Sequence, residues 1–444
     1  LHSASGVING ILYVAGGQTI AGASNVLDAY DPIGSPAKQG KVLVAGGHIK
    51  FWSSAPLTAE VYDEASGTWN ATTNQIAYAT APTGGICASN MVLLGDGRAL
   101  IAGGGCGGDD GTTTNLASLY DPAVNQWSAA APMSYGRNVF GLAPLSDGNA
   151  IVLGGCAGGC SGPNALGQYV GTVGQATEIY SVADNQWNTV ASLKTARAWL
   201  GLATTYQRTV LLKDGRVLAC GGQNGFSTSY ASCEIYDPAA NTWTATTGSY
   251  PETAGPGGPN SFVLLQNGKV LGIRHQALGA VLFDPAAQSW ADTGAPISIQ
   301  PEGQLTVLKN GEVLLTGGLT VNGETKTALA TVQIYNPTTG QWRTTNDMGS
   351  SRYGHVAVLL SDGRVLAAGG YTGSTSAWWD DPLATAEIYD PEKGTWSATG
   401  AMTQKRALAN AVSLQVFNDS YAAAAITGHF PGDYTVALSV VDPG

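Results

Sequence analysis

Tryptophan recurs at Trp69, Trp127, Trp187, Trp243, Trp290, Trp342 and Trp396, and each copy closes the same short text. An aliphatic run ends in a small residue and a glycine pair or its remnant. A Tyr-Asp-Pro-like run follows, and then the tryptophan. Successive copies lie between 47 residues (Trp243 to Trp290) and 60 residues (Trp127 to Trp187) apart. A period of that size, carrying short strands and no helical pattern, is the signature of an all-β chain folded as a propeller of four-stranded blades.

The most regular copy runs from Arg352 to Trp396: RYGHVAVLLSDGRVLAAGG, a loop, then ATAEIYDPEKGTW. Strand a covers His355–Leu360, an Asp362-Gly363 hairpin turn follows, and strand b covers Val365–Ala368. Asp-Gly or Asn-Gly recurs at that turn at Asp96, Asp147, Asp214, Asn267 and Asn310, where positive φ is needed. The glycine pair closes strand b because no Cβ fits where backbones crowd. Strand c carries the Tyr-Asp-Pro and strand d the tryptophan, which packs between blades. On these motifs nearly the whole chain resembles kelch repeats, and the text is similar to that of the propeller in galactose and glyoxal oxidases.

The sequence has no run of eighteen apolar residues, so no membrane-spanning helix is expected. Gly is 61 of 444 residues and charged residues only 11%, which suits short strands and tight turns. A net charge of −11 argues against non-specific nucleic-acid binding. With no Gly/Ser- or Pro-rich linker, residues 1–444 read as a single domain and a monomer. Dividing the chain length by the mean tryptophan spacing gives about eight blades, with seven as the alternative. The eight-blade reading has Gly10–Ala15 completing the last blade and Asn25–Tyr30 serving as strand a of the first, which closes the ring with both termini. Strands are expected at Asn410–Val416, Tyr421–Thr427 and Val436–Val441.

The six cysteines fall into local pairs. Cys87 and Cys106 occupy the start of strand a and the end of strand b in one blade. Cys156 and Cys160 share a loop, and Cys220 ends a strand b just before Cys233 begins strand c. Three disulfides imply an oxidising compartment and secretion. Two sequons, Asn70-Ala71-Thr72 and Asn418-Asp419-Ser420, agree with secretion. A zinc site is the competing reading, but no Cys-x-x-Cys pair supports it. No cofactor is expected beyond structural calcium, for which Asp109-Asp110 and Asp380-Asp381 are the candidate loops.

The segment leading into strand a, the end of strand b and the b–c loop all open on one face. His48, His355 and His429 map there, as do Arg137, Arg197, Glu302, Arg352, Tyr353 and Arg406. Arg274 and His275 replace the glycine pair outright in VLGIRH. The plainer reading of each arginine is a bond to neighbouring-blade carbonyls. Four tryptophans lie off the repeat, at Trp52, Trp199, Trp378 and Trp379, again on this face, and flat rings suit the apolar face of a sugar. Aromatics beside Arg and His suggest an anionic, uronic-acid-containing oligo- or polysaccharide, since arginine binds a planar carboxylate bidentately. With His275 or His48 as base and Arg274 as clamp, β-elimination by a polysaccharide lyase is the favoured chemistry. A non-catalytic lectin and a protein-interaction scaffold are the alternatives.

The resemblance to copper-radical oxidases implies a cysteine crosslinked to a tyrosine, and a Tyr-His pair opening a later strand a. Cys87 and His355 match two of these. The crosslinked tyrosine falls on Asn138-Val139, and the other tyrosine on Gly354, with Tyr353 shifted by one. Without phenolate ligands that activity is not expected.

Overall fold

The computed structural model describes residues 4–8, 11–19, 22–30, 40–48, 57–78, 89–105, 113–157, 172–202, 206–223, 229–251, 261–274, 278–322, 325–373 and 382–414. It is all-β, with no helix among these residues. Two compact units are present: Gly40–Leu414, and a second made of Leu1–Gln39 with Gln415–Gly444.

The larger unit is a seven-bladed β-propeller. Each blade is a four-stranded antiparallel sheet. Blades II to VII run in chain order, with innermost strands a at Asn90–Leu93, Gly141–Pro144, Thr209–Leu211, Phe262–Leu264, Gln304–Val307 and Val356–Leu359. Blade I is assembled from both ends of the unit: Asn410–Leu414 supplies strand a against Lys41–Ala45, Ala59–Asp63 and Thr68–Ala71. The seven inner strands contact one another in a closed cycle, blade VII returning to blade I.

Eight blades is therefore corrected to seven, and closure falls to Asn410–Leu414 rather than Gly10–Ala15. The stretch Ile11–Thr19 pairs instead with Ala4–Ile8 and Gly22–Tyr30 in a separate three-stranded sheet. The division by tryptophan spacing overcounted because it included the residues of the second unit. The expected strands at 421–427 and 436–441 lie outside the described residues.

The repeat residues do what their spacing implies. Tyrosine on strand c faces tryptophan on strand d across the ladder, as in Tyr62–Trp69 and Tyr389–Trp396, each with ring centroids 5.1 Å apart. Most of the indoles then reach the preceding blade. Trp69 donates to the Gly400 carbonyl at 2.8 Å and Trp243 to that of Ala191 at 2.9 Å. Six of the seven tryptophans thus join two sheets through ring packing and one hydrogen bond, Trp127 being the exception. The first glycine of the pair takes positive φ, and at Gly154 and Gly369 a Cβ would lie 2.4 Å from the carbonyl oxygen of Arg197 and Arg406. That close approach is why the repeat ends strand b in glycine.

Candidate functional site

The long connections of the propeller share one face. They include the b–c loops and the segments that lead from strand d of one blade to strand a of the next. In blades II to VII the opposite face carries tight turns, such as 94–98 between strands a and b and 122–125 between strands c and d of blade II.

A repeated joint dominates the long-loop face. In blade VII, Arg352 Nη1 donates to the carbonyls of Gly369 (2.8 Å) and Thr385 (3.1 Å), while Nη2 meets Glu387 Oε1 at 2.7 Å. Glu387 in turn accepts from the N–H groups of Gly349 and Ser350. The same arrangement holds for Arg137–Glu178 in blade III, Arg197–Glu234 in blade IV and Arg406–Glu60 in blade I. Blade VI keeps the geometry without charge: Gln300 Nε2 donates to the carbonyls of Gly317 and Thr331, and Gln333 donates to Gln300 Oε1. In blades II and V a tyrosine hydroxyl does the work, Tyr78 to Gly103 and Tyr250 to Ile273.

Arg137, Arg352 and Arg406 are thus corrected from ligand-facing to structural groups. They are at most 3% exposed, and two Nη atoms of each are committed to carbonyls and a buried carboxylate. Burial pulls each guanidinium below its ordinary pKa, and the facing glutamate pulls it back. Fully desolvated ion pairs of this kind are costly to break from one side.

The histidines are also enclosed. His355 is fully buried, and its Nε2 bonds Thr316 of blade VI at 2.9 Å. Burial, and then the Arg352 charge, holds its pKa well below the usual histidine value. His48 is 6% exposed and forms a backbone bridge with Ala407, and burial pushes its pKa down to about 4. Neither presents an imidazole to the outer surface, which corrects the placement of both at an accessible site.

Two residues beyond each Arg or Gln donor, the backbone takes positive φ, at Val139, Trp199, Glu302, Gly354 and Leu408. Trp199 is half-buried against Val139, Cys156 and Ala198, and its carbonyl accepts from Arg208 Nη1 at 2.7 Å. Arg208 is 1% exposed and went unnoticed in the sequence, because it sits off the repeated donor position. Glu302 is half-buried. Tyr353 is buried with its ring tilted on Tyr371, centroids 5.3 Å apart. Arg274 is the exception among the candidate arginines. Its side chain is 22% exposed and pairs with Asp292 on strand d of its own blade. His275, His429, Trp52, Trp378, Trp379 and both candidate calcium loops lie outside the described residues.

The copper-radical ligand set does not fit. The two tyrosine positions hold Val139, in an apolar cluster, and Gly354, where an added Cβ would lie 2.9 Å from the Leu408 side chain. No group of three or more His, Cys, Asp or Glu side chains suited to a metal occurs among the described residues. Cys220 and Cys233, directly opposite on strands b and c, form the expected disulfide. Cys156 is also disulfide-bonded. Cys87, Cys106 and Cys160 lie outside the described residues.

The Kelch motif model matches residues 204–247, 306–349 and 352–403. Over these segments the blades of the propeller are kelch repeats. Kelch-like protein terF of Aspergillus terreus is 26% identical over 313 residues, covering 67% of this chain and 62% of that one. Alpha-scruin of Limulus polyphemus is 24% identical over 259 residues, 56% of this chain and 26% of its own. This chain thus spans less than two-thirds of either relative. Among solved structures, a fungal alcohol oxidase of the AA5 family in complex with copper superposes with a TM-score of 0.56. It has 19% identity and covers 74% of this chain and 68% of its own, a likeness of fold alone.

Proposed function

We propose that this protein is a non-catalytic kelch scaffold that binds another protein through its long-loop face. One observation carries the reading: the cations and imidazoles that a uronate lyase would need are spent on the fold. Arg137, Arg352 and Arg406 hold the blade joints, and His48 and His355 are buried and neutral. A general base must reach the proton it takes, and a carboxylate clamp must reach its anion. Of the earlier catalytic candidates only Arg274 and His275 remain for such chemistry, and Asp292 already engages Arg274. The large exposed hydrophobic side chains on the described part of this face are mostly aliphatic (Leu278, Ile297 and Ile299, beside Tyr135), which suits a protein partner better than a sugar ring. The Cys220–Cys233 bond supports an oxidising compartment, in keeping with a secreted chain.

The test is incubation with a panel of uronate-containing polysaccharides, following both the ultraviolet absorbance of an unsaturated uronate and retention on the immobilised polymers. Neither signal is expected. Product formation that His275→Ala abolishes would restore the lyase, and retention without product would restore a lectin.

A further inference from the structure

Three departures from the repeat meet where blade V adjoins blade VI. Arg274 and His275 stand where the other blades have their glycine pair. The neutral Gln300–Gln333 joint replaces the buried Arg–Glu pair. The segment into blade VI reads Ile297-Ser298-Ile299, with the two isoleucines 55% and 40% exposed. The hydrogen-bond pattern aligns Ile297 with Ser134, Lys194, Gly349 and Thr403, whose N–H groups likewise donate to the strand-c side chain. Those positions are small or polar. Leu278, in the b–c connection of blade V, is 48% exposed. Three of the five large exposed hydrophobics among the described residues thus belong to this junction.

Bonds tie the Arg274 side of the patch together. Arg274 N–H donates to the Gly279 carbonyl next to Leu278, and its guanidinium runs along strand c to Asp292 on strand d. The chain then continues from Thr293 into the Ile297–Ile299 segment. Asp292 is 73% exposed, so the Arg274–Asp292 pair is of the weak, solvent-screened kind that exchanges partners at little cost.

We propose that this patch binds a second copy of the chain in an isologous two-fold contact. The patch is self-complementary: an apolar centre beside one cation and one anion, which a two-fold axis places against each other as Arg274 to Asp292 and Asp292 to Arg274. The joint beneath the patch is the neutral Gln300–Gln333 pair, where four other blades bury an Arg–Glu pair. A patch of this size fits a transient dimer rather than an obligate one. The inference draws on the same exposed aliphatic side chains as the scaffold reading but does not require it, since a lyase or lectin could dimerise in the same way.

Sedimentation velocity of the full chain over about 1–200 µM should show a reversible monomer–dimer equilibrium. Ile297→Lys with Ile299→Lys should weaken it by roughly tenfold or more. Arg274→Glu and Asp292→Arg should each weaken self-association, through like charges across the axis. Mixing these two variants should restore dimers, as heterodimers, to within about threefold of wild type. Loss of the intramolecular pair alone predicts no such rescue. A chain that stays monomeric at the highest concentration, or two variants that fail to rescue each other, overturns the proposal. The monomeric outcome would leave a different protein, or a flanking segment of this chain, as occupant of the patch.

Discussion

Blade VII and blade VI build the same joint from different chemistry. In blade VII a guanidinium bridges two carbonyls and a buried carboxylate; in blade VI one carboxamide bridges the equivalent carbonyls and a second carboxamide replaces the carboxylate. Both bind the incoming segment to strand c, so the joint requires donors and acceptors in fixed places, not charge. The charged version is the more brittle. Removing one partner of a neutral pair strands an amide, whereas removing one partner of the ion pair strands a buried charge.

This difference sets the sizes of three expected effects. The largest is Arg352→Ala, which leaves Glu387 uncompensated and should cost about 3–5 kcal/mol by chemical denaturation. A loss under 1 kcal/mol would mean that the pair is not holding the blade. The next effect is acidification, because neutral histidines adjoin the blade I and blade VII joints. An unfolded histidine takes up a proton near pH 6.5, while folded His48 refuses it until about 4. Between those values the unfolded state binds more protons, so stability falls as pH drops through that window. His48 contributes about 3 kcal/mol by linkage across it. Burial gives His355 the same sign. His48→Gln should flatten the fall between pH 6.5 and 4, and an unchanged slope would show that His48 charges freely in the fold. The smallest effect is Gln300→Ala, about 1–3 kcal/mol, since the groups left unpaired are neutral. A loss as large as that of Arg352→Ala would remove the contrast between the two joints.

The propeller was legible because its strongest signals are local. Tyr and Trp sit opposite each other on neighbouring strands, the Asp-Gly turns sit two strands away, and Cys220 and Cys233 share a ladder position. Blade number was less legible, because closure by Asn410–Leu414 on Lys41–Ala45 spans almost the whole chain. The arginines misled for another reason. An arginine on a loop-rich face reads as a ligand group until its acceptors are known, and most of those are backbone carbonyls, which no sequence prints. One signal was present nonetheless. Blades with the arginine carry Glu two residues before the strand-c tyrosine (Glu60, Glu178, Glu234, Glu387), whereas blade VI pairs Gln300 with Gln333. That matched change marks the two side chains as partners.

A double-mutant cycle on Arg352 and Glu387 tests most directly whether the rim arginines belong to the fold. If they do, Arg352→Gln and Glu387→Gln should each destabilise the protein by about 2–4 kcal/mol. The double variant, copying blade VI, should recover most of that loss, with a coupling energy above about 2 kcal/mol. Additive losses, or an Arg352→Gln protein as stable as wild type, would contradict it and return Arg352 to the list of ligand-binding candidates.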